Sequence, residues 1–236
     1  MMNAGDQIQT ENASWSFGQG VPESFNRHAE KSIPLYHEGH DLVLKISDYF
    51  LQEDSLVYDL GSSTGELLFK LACGNKKQNI RFTGIDREPG MIREAEKKCA
   101  GDRRIIFDEA DIAQYPFEKC DMIIAYYTIQ FIHPRYRQEL INRIFQSLNW
   151  GGAFLLFEKV RAPDARFQDM MTGLYTDYKL ERGYSEEEIV SKSRSLKGIL
   201  EPFSSRANYE MLERAGFQDI MTVMKYICFE GILAVK

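Results

Sequence analysis

The segment from Leu56 to Gly65 constrains the fold of this chain more than any other, because it joins an apolar run to a glycine turn. Residues 56–60 are apolar except for Asp59, and Gly61 and Gly65 enclose a short turn before a predicted helix. A glycine turn lets the backbone approach a ligand closely, and the following helix presents free N–H groups to it. The segment therefore predicts a nucleotide-type ligand at the carboxyl end of a strand.

Predicted strands and helices alternate along most of the chain. Short apolar runs are separated by segments with the i, i+3, i+4 spacing of amphipathic helices, which is typical of a mostly parallel sheet with helices on both faces. Strands are predicted at 56–60, 80–85, 104–107, 120–126 and 153–157, and an antiparallel hairpin at 218–227 and 228–235. The predicted fold class is α/β, a Rossmann-like, mostly parallel seven-stranded sheet with a helical insertion before the last two strands.

The chain divides into four predicted regions. They are an N-terminal tail with lid helices (1–38), a cofactor-binding α/β core (39–160), a helical insertion (161–203), and a C-terminal helix and hairpin that complete the sheet (204–236). Pro22 and Pro34 are expected to break the helices before the core, whose first long helix is predicted at 39–52. Trp15 and Phe17 are expected to pack on the body of the domain, and a flap over the ligand is the alternative.

The helical insertion has two predicted roles. It is charged and carries Tyr175, Tyr178 and Tyr184, which would shape an acceptor pocket, pack between helices or form a dimer contact. Ser185 and Glu188 have the spacing of a capping box and predict a helix start.

Charge and composition exclude several classes of function. The net charge of −6 gives no support to direct nucleic-acid binding, and no apolar run has the length of a membrane span. The four cysteines contain no CxxC pair, and the polar start has no leader pattern, so a cytoplasmic protein is expected. His37 and His40 lack a third ligand nearby, so no metal site is predicted and a solvated pair is expected.

Three aspartates end successive predicted strands, and their charge selects the ligand. Asp59 lies beside the glycine turn, where it would repel a pyrophosphate but suit the ammonium and sulfonium groups of S-adenosylmethionine. Asp86 can accept both ribose hydroxyls, and Asp111, with the Ile112 backbone, can bind the adenine. Neither a G-x-G-x-x-G motif nor a phosphate-binding P-loop is present. The pattern therefore predicts S-adenosylmethionine as the cofactor.

The same motifs resemble a known enzyme class. Tyr58-Asp59-Leu60-Gly61 with Gly65, Gly84-Ile85-Asp86 and Asp111-Ile112 resemble the class I S-adenosylmethionine-dependent methyltransferases. Further segments resemble the carboxy-S-adenosylmethionine synthases, from about Trp15 to the last strand: Trp15-x-Phe17, Ser32-Ile33-Pro34-x-Tyr36, Thr128-Ile129-Gln130-Phe131, Glu158-Lys159 and Gly183-Tyr184-Ser185. The resemblance implies the class I methyltransferase fold, a homodimer and an enzyme that adds a carboxylate derived from prephenate to the methyl group of S-adenosylmethionine, for a modified uridine of transfer RNA.

The candidate cofactor-binding residues follow from the motifs and this resemblance. They are Tyr36, Asp59, Gly61, Ser62, Ser63, Gly65, Asp86, Arg87, Met91, Asp111, Ile112 and Tyr126. The catalytic residues are not identified, and the candidates are Tyr126, His133 and Arg194. For His133 we expect a helix-entry residue without a catalytic part.

Two departures from the resembled family bear on the reaction. The family holds its carboxylate with an arginine where this chain has Ser193, and Arg194 lies roughly 100° further round a helix. The family has an asparagine where this chain has Tyr126. Because serine cannot supply a planar cationic fork, we predict a methyltransferase that transfers a methyl group in line to a small-molecule acceptor, whose identity is left open.

Two alternatives to this function remain. One is carboxy-S-adenosylmethionine synthesis for wobble uridine modification of transfer RNA, with Arg194 or Arg206 as the cation. The other is a sensor or partner protein that retains the cofactor fold but no turnover.

Overall fold

A seven-stranded sheet forms the centre of the computed structural model, which describes residues 2–6, 8–18 and 21–236. The strands of the described chain are β1 (Met2–Asn3), β2 (Gln9–Thr10), β3 (Leu56–Leu60), β4 (Arg81–Asp86), β5 (Ile105–Glu109), β6 (Cys120–Tyr126), β7 (Leu148–Lys159), β8 (Asp219–Tyr226) and β9 (Phe229–Val235). The large sheet has the order β5-β4-β3-β6-β7-β9-β8, and β1 pairs with β2 separately. Pairing is parallel from β5 to β7 and antiparallel at β9 and β8, which confirms the predicted fold class.

Helices cover both faces of this sheet. In the described residues they are α1 (Val21–Ser32), α2 (Tyr36–Phe50), α3 (Glu66–Gly74), α4 (Pro89–Cys99), α5 (Pro134–Ser147), α6 (Ala165–Glu181), α7 (Glu186–Ser195) and α8 (Ser205–Ala215). On one face β3, β6 and β7 pack against α5 and α8, and on the other against α2 and α3. Because both faces are covered, β6 is apolar along nearly its whole length, as predicted.

Local sequence signals explain several helix boundaries. Pro89 and Pro134 begin α4 and α5, where the missing N–H of proline costs nothing. Ser185 and Glu188 form the predicted capping box of α7. The predicted breaks at proline were half right: Pro34 separates α1 from α2, but Pro22 lies in the first turn of α1 and continues it.

The fifth strand of the core is longer than predicted. The strand was predicted at 153–157, but β7 begins at Leu148 directly after α5. Its early residues are held by Lys236, which follows the neighbouring strand β9: the amide of Gly151 donates to the carbonyl of Lys236 (2.7 Å) and the amide of Lys236 to that of Gly152 (3.0 Å). Gly151 has φ 79°, and the pairing with β6 shifts register between Leu148 and Ala153, so β7 is irregular at these two glycines.

The N-terminal segment is ordered against the domain in its described part. Residues 2–6 and 8–18 form β1, β2 and a following path of turns and bends, where a loose or conditionally ordered tail was predicted; positions 1, 7, 19 and 20 lie outside the described residues. Trp15 is 8% exposed and packs with Val21 and Met91, as expected for packing on the body. Trp15 and Phe17 also line the cavity described below, so the alternative of a flap over the ligand stays a prediction. No helix in the described ranges combines the length and apolarity needed to cross a bilayer.

Candidate functional site

A cavity of about 750 Å³ opens at the carboxyl ends of β3, β4 and β6. This volume is in the range of pockets that hold a cofactor-sized ligand. Its walls include all but one of the predicted cofactor-binding residues: Tyr36, Asp59, Gly61, Ser62, Ser63, Asp86, Arg87, Met91, Asp111, Ile112 and Tyr126. The exception is Gly65, which caps the start of α3 with φ 73°. Their contact with a cofactor stays a prediction.

The glycine turn after β3 has the strained geometry that the sequence predicted. Gly61 has φ 71° and Ser63 has φ 51°. The amides of Gly61 and Ser62 both donate to the carbonyl of Ile85 on β4, at 2.7 and 3.1 Å. A Cβ atom at Gly61 would lie 2.5 Å from the side chain of Thr128, so only glycine fits there. The turn is therefore fixed from both sides and open towards the cavity.

Asp59 is a buried acid without a partner in the described chain. Its side chain is 2% exposed, and its Oδ1 atom has no hydrogen-bond partner there. Burial, with a smaller contribution from the charge of Asp86, raises the pKa of Asp59 to about 7. A buried carboxylate with an open acceptor is costly unless a cation reaches it. The ammonium group of S-adenosylmethionine has the chemistry that this atom lacks.

Asp86 and Asp111 are oriented by backbone amides. Asp86 accepts from the amide of Ser63 with Oδ2 and from that of Glu88 with Oδ1, each at 2.9 Å. Burial raises the pKa of Asp86 although these hydrogen bonds lower it. Each oxygen keeps a second lone pair for a ribose hydroxyl. Asp111 is exposed and accepts from the amide of Ala113 (2.8 Å), so it also has the loop role common for aspartate.

Aromatic rings form the floor beside Asp59. The Tyr126 hydroxyl donates to the carbonyl oxygen of Tyr36 (2.7 Å), and the ring of His40 lies 4.6 Å from the centroid of each tyrosine ring. The expected solvated histidine pair was wrong, because His40 is 1% exposed and burial lowers its pKa to about 3. In the described chain His40 Nδ1 and the Tyr127 hydroxyl have no hydrogen-bond partner. A ligand in the cavity could satisfy them.

Three candidate residues lie outside the cavity wall. His133 caps α5 by accepting from the amide of Arg135 (3.3 Å), which is the helix-entry role expected for it. Arg194 is exposed on α7, and its carbonyl accepts from the amide of Ala13. Arg206 is 89% exposed in its side chain and pairs with Glu210 on α8. Neither arginine is positioned to hold a ligand in the cavity.

The cavity wall also carries lysines on β7, α6 and α7 that no sequence motif identified as ligands. Lys159 ends β7, Lys179 lies in α6 and Lys192 lies in α7. Burial and neighbouring lysine charges lower the pKa of Lys179 to about 8 and that of Lys192 to about 7. Of the three lysines, only Lys159 lies in a motif identified from the sequence. The other two lie in separate helices, and helix periodicity cannot show that side chains of different helices lie close together.

Lys192 joins several segments that are distant in sequence. Its Nζ atom lies 2.6 Å from His28 Nε2 and 2.7 Å from Ser32 Oγ. Burial, and then the charge of Lys192, lower the pKa of His28 to about 3, so the ring is neutral. Its Nδ1–H donates to Asp6 Oδ2 (2.9 Å), and Nε2 accepts from the ammonium of Lys192. The Tyr184 hydroxyl lies 2.8 Å from Ser32 Oγ.

The tyrosines of the insertion divide between the cavity and packing. Tyr175 lines the cavity and donates to the carbonyl of Ser32 (2.8 Å). Tyr184 supports Lys192 through Ser32, whereas the Tyr178 ring packs 6.4 Å from that of Tyr226. The insertion therefore closes one side of the cavity, and some of its tyrosines pack between elements; its roles in acceptor binding and in a dimer contact stay predictions.

Comparison with known proteins agrees with this geometry. The family model of the methyltransferase domain matches residues 57–152. A carboxy-S-adenosyl-L-methionine synthase of Staphylococcus epidermidis is 40% identical over 94% of this chain and 97% of its own length, and one of Nautilia profundicola is 36% identical over 94% of each. The solved structure of human N-acetylserotonin methyltransferase with S-adenosylmethionine has a TM-score of 0.57 at 18% identity, over 92% of this chain and 54% of that one. At this identity the structural likeness concerns the fold alone.

Proposed function

The chain belongs to the family of the carboxy-S-adenosyl-L-methionine synthases, and from this we propose that it joins a carboxylate group to the methyl carbon of S-adenosylmethionine. It is an enzyme that uses S-adenosylmethionine, as its methyltransferase domain and its relatives show. The proposed carboxylate donor is prephenate, by resemblance to the family. The small-molecule partner is then a carboxylate donor and not a methyl acceptor, which departs from the function that the sequence alone favoured.

The observation that carries this proposal is that acids at the strand ends and lysines from β7, α6 and α7 line the same cavity. The acids Asp59, Asp86 and Asp111 line the end that would hold a cationic nucleoside. Lys159, Lys179 and Lys192 line the cavity from β7, α6 and α7. A neutral methyl acceptor would leave those lysines without a counter-charge, whereas a carboxylate donor and a carboxylated product supply one.

The proposed reaction balances without a further reactant. The sulfonium supplies a methyl carbon that loses a proton and gains a carbon–carbon bond to the carboxylate. The donor loses that carboxylate and its ring hydroxyl, which leaves with the proton as water while the ring becomes aromatic.

In this proposal the protein chiefly binds and orients the two substrates and excludes water from them. Asp59 accepts hydrogen bonds from the ammonium of the nucleoside, Asp86 accepts from the ribose and Asp111 with Ile112 binds the adenine. Tyr36 and Tyr126 flank the reacting carbon. The aromatic rings around these tyrosines keep water from this carbon. After the carbon has lost its proton, it therefore forms a bond to the carboxylate and is not reprotonated by solvent.

A second candidate function is methyl transfer to an anionic small molecule. It is favoured by Ser193 and Tyr126, which replace the arginine and asparagine of the resembled family. The cavity lysines would then hold the acceptor.

The test is incubation of the purified protein with S-adenosylmethionine and prephenate, followed by mass spectrometry of the nucleosides. We expect a product heavier than S-adenosylmethionine by one CO₂, which requires both substrates. Formation of S-adenosylhomocysteine with an anionic acceptor, and no carboxylated nucleoside with prephenate, would favour the second candidate instead. Asp86→Ala is the control for nucleoside binding, because it removes the proposed ribose contact and leaves the lysines intact.

A further inference from the structure

Lys159, Lys179 and Lys192 share one wall of the cavity although they come from three different elements. Within the described residues none of the three ammonium groups forms an ion pair with a carboxylate. Other lysines of the chain do so, for example Lys70 with Asp41 (2.5 Å) and Lys77 with Asp48 (2.9 Å). The three cavity lysines are thus left with a net positive charge that faces the ligand space.

The groups in direct contact with these lysines are neutral, and Asp6, an acid whose charge acts on Lys192, is paired with Arg27, His28 and Lys31. The Nζ atoms of Lys159 and Lys179 lie 4.4 and 4.5 Å from the centroid of the Tyr175 ring. An aromatic face attracts a cation but leaves its hydrogen-bond donors free. The partners of Lys192 are the hydroxyl of Ser32 and the neutral ring of His28. Each ammonium therefore keeps donors for a further acceptor.

The position of Lys192 is fixed by the elements around it. Ser32 ends α1 and receives the Tyr175 hydroxyl on its carbonyl. His28 is held from behind by Asp6, and Trp15 stacks on its ring with the centroids 5.6 Å apart. This framework holds the side chain of Lys192 towards the other two lysines, although like charges repel.

Ser193 and Arg194, the next two residues of α7, do not provide a cation at this place. Ser193 lines the cavity but is uncharged, and Arg194 is exposed and lies outside the cavity wall. The nearest cation of α7 that reaches the cavity is Lys192.

We propose that Lys159, Lys179 and Lys192 form a carboxylate-binding subsite, in which Lys192 takes the role that an arginine at position 193 has in the resembled family. This rests on the proposed function, because the carboxylate in question is the one that distinguishes carboxy-S-adenosylmethionine from S-adenosylmethionine. Ammonium groups bind a carboxylate as point charges and need no planar fork, so three of them can replace one guanidinium.

The test compares the affinities of two nucleosides by calorimetry. Carboxy-S-adenosylmethionine is made by alkylating S-adenosylhomocysteine with iodoacetate, and S-adenosylmethionine is the reference. We expect the wild-type protein to bind the carboxylated nucleoside at least about tenfold more tightly. Lys192→Met, which keeps the length of the side chain but removes its charge, should abolish most of this preference and leave the affinity for S-adenosylmethionine within about twofold.

Arg194→Met is the matched control, because it removes one positive charge from the same helix two residues away. It should keep the full preference of the wild type. Lys179→Met gives a second variant if Lys192→Met does not fold, and it should also reduce the preference. Lys192→Arg should retain it.

Different results overturn the two proposals. If the wild type prefers the carboxylated nucleoside and Lys192→Met and Lys179→Met keep that preference, the subsite is wrong while the proposed function stands. A preference lost in Arg194→Met and kept in Lys192→Met would assign the role to Arg194. Equal affinity of the wild type for both nucleosides would contradict the proposed function itself.

Discussion

At the scale of single residues, the ligand site is built around groups that the folded protein stabilises poorly by itself. Asp59 is buried without a cation, and its pKa is raised to about 7. Glu158, which directly precedes Lys159 in the sequence, is also buried, and burial raises its pKa to about 8. A group whose pKa is raised by folding lowers the stability of the folded state once the pH exceeds its unfolded-state pKa. We therefore expect the buried charge that Asp59 needs for ligand binding to lower the stability of the ligand-free folded protein.

Asp59→Asn should separate these two effects. We expect the free energy of unfolding of the ligand-free protein at pH 7.5 to rise by about 1–3 kcal/mol, because a buried charge is removed. Binding of S-adenosylmethionine should weaken by at least about a hundredfold, because the amide cannot neutralise the ammonium. Denaturant unfolding and calorimetry measure the two quantities. Glu158→Gln is the control: it removes another buried acid, outside the cavity wall, and should leave the affinity unchanged.

The pH dependence of cofactor binding follows from the same residue. Ionised Asp59 is the form that receives an ammonium, so the affinity for S-adenosylmethionine should rise as the pH increases from 5 to 7. The rise is expected to approach about tenfold per pH unit at the acidic end. The free energy of unfolding of the ligand-free protein should fall over the same range, because the folded state holds the proton more tightly. An affinity that is flat between pH 5 and 7 in the wild type would contradict the role of Asp59.

At the scale of elements, the N-terminal segment is attached to the helices α1 and α7 by a few polar contacts. Asp6 accepts from Arg27, His28 and Lys31 at 2.9–3.3 Å, and its side chain is 3% exposed. The amides of Ala13 and Trp15 donate to carbonyls in α7. These contacts join residues 2–6 and 8–18 to α1 and α7, the two helices that hold Lys192.

Asp6→Ala should loosen this attachment without unfolding the core. We expect hydrogen exchange of residues 8–18 to become faster by about tenfold or more, since a lost buried ion pair costs about 1–3 kcal/mol locally. Exchange in β3 and β6 should not change. Affinity for the carboxylated nucleoside should fall more than affinity for S-adenosylmethionine, because His28 would no longer hold Lys192. Unchanged exchange in residues 8–18 would show that the apolar packing of Trp15 suffices for attachment.

At the scale of the whole molecule, the helical insertion leaves apolar residues on its outer side. Phe167, Met170 and Leu174 follow one face of α6 and are 51–57% exposed. The resemblance to the carboxy-S-adenosylmethionine synthases implies a homodimer, and this face is a candidate contact. A stripe of this kind is common where a second surface covers a helix.

Leu174→Glu tests the expected dimer. If α6 lies in the contact, the charge should shift the protein from dimer to monomer at micromolar concentration, as measured by light scattering after size-exclusion chromatography. Arg166→Glu, an exposed position at the start of α6, is the control and should keep the wild-type state. A monomeric wild type would contradict the expectation from the resemblance.

The motifs in the sequence were enough for the fold and the cofactor end of the site. Hydrophobic periodicity and the glycine turn predicted the order of the strands and helices, because burial in a two-faced sheet imposes a local pattern. The acids at the strand ends were predictable for the same reason, since the carboxyl ends of parallel strands meet at one edge. Where a local signal competed with tertiary pairing, as at Gly151 and Gly152 in β7, the predicted start of the strand at residue 153 was wrong.

The sequence by itself determined the sheet, the glycine turn after Asp59 and a cofactor of cationic charge, since each of these is written in residues close together along the chain. Only the tertiary structure decided which cations line the same cavity as the three aspartates. Lys159, Lys179 and Lys192 come from a strand and two helices, and their meeting depends on how the insertion folds back over the sheet. Charged side chains that are far apart in the sequence but meet in the fold leave no periodic pattern in the sequence. The path of the chain between them determines how close they lie in space.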